Sequence, residues 1–184
     1  MKAVLCKTLG PPEDLVLEEV ADPVAGDNEA LVEVFAASLN FPDGLQIQGK
    51  YQFQPPLPFT PGSEVGGIIK AIGSGLKGFK VGDRVMATPG LGGLAEQVIV
   101  KAEGLRKIPD SMDFKTAAGF AMVYTTSYYA LKQRAQLQPG ETLLVLGASG
   151  GVGLAAVELG KLMGARIIAA ASSDEKLDFV KHLN

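Results

Sequence analysis

The eight residues LGASGGVG, at 146–153, constrain this chain more than any other stretch. An apolar run, TLLVLGA, leads into them, and an apolar pattern of helical period, GVGLAAVELGKLMG, leads out. Gly147, Gly150 and Gly153 recur at intervals of three with Gly151 added, which departs from the GxGxxG spacing. A strand, a glycine turn and a helix in that order bring bare main-chain amides and the positive end of a helix to one anion-binding point. The same glycines have a second reading, a tight turn with close helix–strand packing. The context on both sides favours the pyrophosphate of a dinucleotide, held by the bare main-chain amides between Gly147 and Gly153. ARIIAAA comes next as a second strand, and a last helix starts near Asp174. Strand–helix–strand–helix is the parallel unit of a doubly wound sheet.

The second strand decides which dinucleotide. An NAD site places an acid at its tip, about 20 residues after the glycines, for the ribose 2′-hydroxyl. Asp174 and Glu175 lie near that distance, but they come after Ser172 and Ser173. SSDE reads as a capping box, with Ser172 as the cap, Glu175 reaching back, and both acids in the first helical turn. Ser172, Ser173 and Lys176 are then left to face the ribose, and two hydroxyls and a cation suit a 2′-phosphate. The expected cofactor is NADPH. The alternative for Lys176 is a solvated helix residue.

The first half has a different period. KAVLCK, LVLEEV, ALVEVFAA, EVGGIIKAIG, RVMAT and AEQVIVK are short runs rich in β-branched residues, bounded by turns such as GPPED and KVGDR. They predict a compact, barrel-like β domain. Residues 38–59 read as a long loop with one short helix, and a loop of that length in a compact domain is often functional. After Pro109 the pattern becomes helical, capped by Ser111 or Asp113, and runs through MDFKTAAGFAMVYTTSYYALKQRA. The change of period puts a boundary within residues 108–125 and gives two domains, 1–115 and 116–184.

Composition narrows the class. A net charge of −3 leaves no basic footprint for nucleic acid. One cysteine, Cys6, excludes an internal disulfide framework, and its apolar neighbours predict a buried thiol. The N-terminus has no apolar signal core, and the most apolar window is broken by Glu158, Lys161 and Arg166, so neither a secretory signal nor a membrane span is expected. A cytoplasmic protein is expected.

GETLLVLGASGGVGLAAVELGK resembles the signature of zinc-free quinone oxidoreductases (the zeta-crystallin-like branch) in the medium-chain dehydrogenase/reductase superfamily. Glu158 departs from it, where the family usually has Gln. PFTPGSEVGGIIKAIGSGLKGFKVGDRV is similar to the GroES-like catalytic domain of the same superfamily. The resemblance covers essentially the whole chain. It implies a mixed fold: a GroES-like β-barrel-type catalytic domain, then a partial Rossmann α/β parallel sheet. The superfamily's zinc enzymes carry Gly-His-Glu where this chain reads PGSEVGG, with Ser63 in the histidine's place, and SLNFPD holds no cysteine. The single histidine, His182, falls in the last predicted helix as a surface residue. A catalytic zinc needs three protein ligands, so no metal site is expected.

Residue by residue, the resemblance puts Asn40 beside the nicotinamide pocket and Tyr51 near cofactor and substrate. It puts Thr126 at the nicotinamide end, Ser149 to Val152 on the phosphates, and Ser172 and Lys176 on the 2′-phosphate. Each has a plainer alternative: Asn40 caps a short helix from Phe41 or Pro42, Tyr51 packs as a loop aromatic, and Thr126 bonds its own helix. The implied reaction is hydride transfer from NADPH to a quinone or similar conjugated carbonyl. No catalytic residue stands out, and Asp43 and Tyr51 are the nearest candidates for a proton relay. An enoyl-thioester or alkenal reductase of the same branch, or a non-catalytic NADPH-binding protein, are the competing readings. Only 31 residues come after Gly153, whereas the family's dinucleotide domain continues with several more strands and pairs into homo-oligomers. A truncated chain is therefore expected to bind NADPH weakly and turn over poorly unless something completes the sheet.

Overall fold

The computed structural model describes residues 1–183, which divide into two compact units, Met1–Ala121 and the chain from Met122 onward. In the first unit, β1 (Lys2–Leu5) and β2 (Val16–Glu19) pair antiparallel. Next come β3 (Glu29–Ala37), the short helix α1 (Phe41–Ile47), β4 (Val65–Ile72), β5 (Arg84–Ala87), β6 (Gln97–Lys101), β7 (Leu105–Lys107) and helix α2 (Phe114–Ala118). Five of these strands form one antiparallel sheet in the order β6-β3-β4-β5-β7. The sheet curls about its core as a half-barrel, leaving β6 and β7 as its edges. Alternation explains the core: Val32, Ile69, Val85, Val98, Val100 and Leu105 point to one buried side.

Two glycines of β4 shape the neighbourhood of α1 and α2. A Cβ at Gly67 would stand 2.0 Å from the Glu33 carbonyl oxygen, and one at Gly66 would stand 2.4 Å from that of Phe114. Bare backbone at these positions lets β3 and α2 lie directly against β4. Opposite them, the register of β3 slips between Val34 and Ala36, a bulge that turns Phe35 outward to stack on Phe114, ring centroids 4.9 Å apart. The bend steers the chain after β3 into α1, where Asp43, Gln46 and Ile47 are the buried face.

The second unit contains most of α3 (Ala121–Tyr128), which runs on into a wider π turn over Tyr129–Arg134. Beyond it lie β8 (Thr142–Leu146), α4 (Gly151–Leu162), β9 (Arg166–Ala170) and α5 (Asp174–Leu183). β8 and β9 are parallel, from Thr142 opposite Arg166 to Leu146 opposite Ala170, with α4 as the crossover. Val145, Ala148, Val157 and Val180 form the core of this unit. Gly160 lets α4 settle onto the sheet, since a Cβ there would lie 2.7 Å from Leu143 and 2.8 Å from Ile167.

Three sequence expectations change. β7 escapes a reading by pattern because it has three residues and one buried side chain, Leu105. The continuous helix predicted after Ser111 is broken: Asp113 caps α2, its Oδ1 accepting the Thr116 amide at 2.7 Å, and α2 ends at Gly119. Beyond Tyr128 the hydrogen bonding widens, with the Ala135 amide donating to the Ala130 carbonyl at 2.8 Å.

Substitution at the β4 glycines tests this packing. Gly67→Ala is expected to cost more than about 2 kcal/mol in urea unfolding, because its new methyl meets backbone. Gly44→Ala, in α1 with nothing within 4 Å of a Cβ, should be neutral or stabilise by up to ~1 kcal/mol.

Candidate functional site

Gly147 takes φ of 68°, a left-handed conformation that favours glycine, and turns the chain sharply off the end of β8. Gly153 is required for contact: a Cβ there would lie 2.3 Å from the Gly147 carbonyl oxygen and 2.9 Å from Ala148 Cα. The first turn of α4 is thereby seated directly on the strand end. Two amides of the turn are engaged by the chain itself. Ala148 donates to the Ala170 carbonyl, extending the parallel ladder, and Gly150 donates to the Gly147 carbonyl, both at 3.0 Å. The expectation that every amide from Gly147 to Gly153 is bare is corrected accordingly, and Gly150 serves as the N-cap of α4. Within α4 the Leu154 amide is the first to find a carbonyl, that of Gly150 at 2.7 Å. Among the described residues, the amides of Ser149, Gly151, Val152 and Gly153 donate to no carbonyl of the chain. These are the orphan donors of a helix start, gathered where the helix dipole is positive.

A cavity of about 520 Å³ adjoins this turn, lined by Ser149 and Gly150 on one side and Ser172 and Lys176 on the other. Four of the predicted residues are thus brought together. Lys176 Nζ donates to Ser172 Oγ at 2.9 Å, so the cation and hydroxyl expected to face a 2′-phosphate already form a pair. The predicted capping box is not formed as drawn. α5 begins at Asp174, which makes Ser173 the cap: its Oγ receives the Lys176 amide at 3.4 Å, and its carbonyl receives that of Leu177 at 3.2 Å. With the frame moved by one residue, the third helical position is Lys176, a donor, and Ser172 is released to pair with its side chain.

Thr126 is exposed on α3, outside that cavity. Its neighbours tie α3 to α4. Ser127, 2% exposed, donates from Oγ to the Val152 carbonyl at 2.7 Å, and the Tyr124 hydroxyl donates to the Glu158 carboxylate. Neither contact was anticipated from the sequence. The one signal available was the carboxylate at Glu158, which puts a strong acceptor in place of an amide.

In the first unit, Asn40 holds the N-cap position of α1. Its backbone N–H donates to Asp43 Oδ2 and its side-chain amide donates to Ser38 Oγ, each at 2.8 Å. Asp43 is buried, and its second oxygen, Oδ1, has no partner among the described residues; the same holds for Ser63 Oγ. Tyr51 is half-buried in the loop after α1. Cys6 is buried, which pushes its thiol pKa up. His182 is exposed, with Nδ1 2.6 Å from the Asp178 carbonyl oxygen. Among the described residues no three His, Cys, Asp or Glu side chains gather into a metal-binding group, and no helix is long and apolar enough to cross a membrane.

Residues 26–110 match the alcohol dehydrogenase GroES-like domain. The chain is 42% identical over 176 residues to quinone oxidoreductase-like protein 2 of Bos taurus, covering 95% of this chain and 50% of that protein. It resembles the crystal structure of a probable oxidoreductase from Mycobacterium abscessus, with TM-score 0.94 and 42% identity, over 100% of this chain and 59% of that one. It is also similar to the quinone oxidoreductase of Thermus thermophilus, a protein whose crystal structures include its complex with NADPH. There the TM-score is 0.89 and the identity 38%, over 100% of this chain and 58% of that one. The chain spans about half the length of the curated relatives it matches.

The Tyr124–Glu158 contact has a measurable signature. The hydrogen bond to the carboxylate, then partial burial, then the Glu158 charge push the Tyr124 phenol up to about 12. A raised folded pKa means that the stability from this group is fully present below the free phenol value near 10, and is lost as pH rises through about 12. Ultraviolet titration should show a late phenol that disappears in Tyr124→Phe and titrates at lower pH in Glu158→Gln.

Proposed function

We propose that this chain, which belongs to the quinone oxidoreductases of the medium-chain dehydrogenase/reductase superfamily, binds NADPH and serves hydride transfer to a quinone or similar conjugated carbonyl without a metal ion. The observation that carries the cofactor choice is the Lys176–Ser172 pair, set in one cavity with the turn whose amides are open. A phosphate on the ribose 2′-oxygen suits a cation and a hydroxyl, whereas a free 2′-hydroxyl calls for an acid at the strand tip. Asp174 and Glu175, the acids nearest in sequence, instead occupy the first turn of α5, where they offset the helix dipole.

The residues present fit the rest of the cofactor. A Cβ at Gly147 would meet nothing within 4 Å, so the turn leaves open space beside the α4 start. The amides of Ser149, Gly151, Val152 and Gly153 would hold the pyrophosphate, and Gly150 would allow its close approach as the cap. Asn40, Tyr51 and Thr126 are assigned to the nicotinamide end by their match to the family. NADPH, when bound, supplies the hydride. The chain's own residues bind, orient and exclude water. Asp43 accepts the Asn40 backbone N–H through one oxygen, and no catalytic proton donor is assigned. A quinone tolerates this because its reduced oxygens are protonated from solvent. Metal-free chemistry is supported by Ser63, which stands where the zinc enzymes of the superfamily carry histidine.

Calorimetric titration separates the readings. NADPH should bind at least about tenfold more tightly than NADH, and Lys176→Ala should remove most of that preference, the size expected for one charge-assisted hydrogen bond. Equal affinity for the two nucleotides would refute the cofactor assignment. Bound NADPH that no quinone or enone oxidises would identify a binding protein instead of a reductase.

A further inference from the structure

We propose that Ser127 and Tyr124 are positioning residues that fix where Thr126 stands relative to the phosphate-binding turn. The inference rests on the proposed function, in which Thr126 meets the nicotinamide end and the α4 amides meet the pyrophosphate. A dinucleotide binds at both ends at once, so the spacing between these two groups decides how well the whole molecule fits.

α3 has an unusual need for polar fastening. Its one buried side chain is Ser127, and no buried apolar stripe runs along it to set its rotation. An ordinary packed helix gets its orientation from such a stripe. Here three contacts with α4 take its place. Ser127 Oγ–H reaches the Val152 carbonyl in the first turn of α4, at 2.7 Å. The Tyr124 hydroxyl reaches Glu158, further along the same helix. Val123 closes on Gly151, where a Cβ would lie 3.0 Å from Val123 Cγ1.

Positions 123, 124 and 127 are related by three and four residues and share one side of α3. Thr126, one residue before Ser127, is turned away by about 100° and faces out. Two of the contacts end on Gly151 and Val152, whose amides are among the open donors. The same first turn of α4 that offers amides to an anion therefore holds α3 by a carbonyl and by a bare Cα. Loss of the Ser127 or Tyr124 hydroxyl would leave α3 free to rotate or slide without disturbing the cradle, which is built separately by the β8–β9 ladder and the Gly153–Gly147 contact.

The test compares two ligands by calorimetry: NADPH, which spans both ends, and adenosine 2′,5′-bisphosphate, which lacks the nicotinamide half. Ser127→Ala and Tyr124→Phe should each weaken NADPH by about five- to tenfold, the worth of one hydrogen bond, and leave adenosine 2′,5′-bisphosphate within about twofold. Glu158→Gln keeps an acceptor for Tyr124 and should bind NADPH nearly as the wild type does. The double variant Thr126→Ala/Ser127→Ala should lose no more than Thr126→Ala alone, the non-additivity of residues acting through one another. Equal weakening of both ligands would mark a merely structural role and overturn the inference, as would unchanged NADPH affinity in both single variants. A wild-type chain that binds neither ligand would overturn the dinucleotide reading itself, which is a different result.

Discussion

The absence of one side chain, at Gly153, governs the second unit. Its Cα approaches the Gly147 carbonyl so closely that any Cβ would lie 2.3 Å from the oxygen. Helix α4 can therefore start close against the strand that feeds it, after the turn over residues 147–150. Among the described residues its first amides donate to no carbonyl of the chain, as at any helix start. The neighbouring Ala148 amide does the opposite: it joins the Ala170 carbonyl and locks the turn to the end of β9. Because Ser172 lies two residues beyond Ala170, the glycine turn and the Ser172–Lys176 pair are held in one frame by the β8–β9 ladder and this added bond.

The first unit uses the same sparing of side chains to opposite effect. Gly66 and Gly67 remove bulk inside a sheet, so that β3 can bulge at Phe35 and α2 can lie flat on β4. The segment after β3 is polar and tightly bonded: the Ser38 amide donates to the Glu64 carbonyl, the Asn40 side chain donates to Ser38, and the Asn40 backbone donates to Asp43. An asparagine held at both its side chain and its backbone has little rotational freedom, and its amide is presented in one orientation. Of the two sequence readings of Asn40, the structure bears on the helix cap. Asn40 stands at the helix cap position, and its side chain is fixed by Ser38 without being used up by the helix.

Much of this was legible in the sequence because periodicity records burial. The alternation in ALVEVFAA and the apolar runs flanking LGASGGVG located the strands and the crossover helix to within a residue or two. Detail failed wherever two residues could perform one task. Ser172 and Ser173 are both competent caps, and only the true start of α5 tells them apart; the pattern S-x-x-E fits the first and the structure uses the second. The helical run after Ser111 hides a break because Gly119 is tolerated in a helix and the alanines and threonines after it have no strong sidedness. Ser127 was illegible for a related reason. In YTTSYYAL it is one hydroxyl among several, and nothing but the position of α4 singles it out.

The ribose-side pair bears on how a single cation can act at a helix end crowded with acids. Asp174 and Glu175 sit beside Lys176 in the first turn of α5, yet the Lys176 ammonium is directed to Ser172. The acids lie at the positions where the helix dipole stabilises negative charge, so their fields are partly answered by the helix itself. Lys176, on the next position, lines the cavity and pairs with the neutral Ser172 hydroxyl. All three groups are exposed, so the discrimination between phosphate and hydroxyl proposed for Lys176 is a screened, solvent-facing one. In the proposed reading the Ser172–Lys176 pair carries the choice between phosphate and hydroxyl and the glycine turn carries the grip on the pyrophosphate, and the two are separable because different elements hold them.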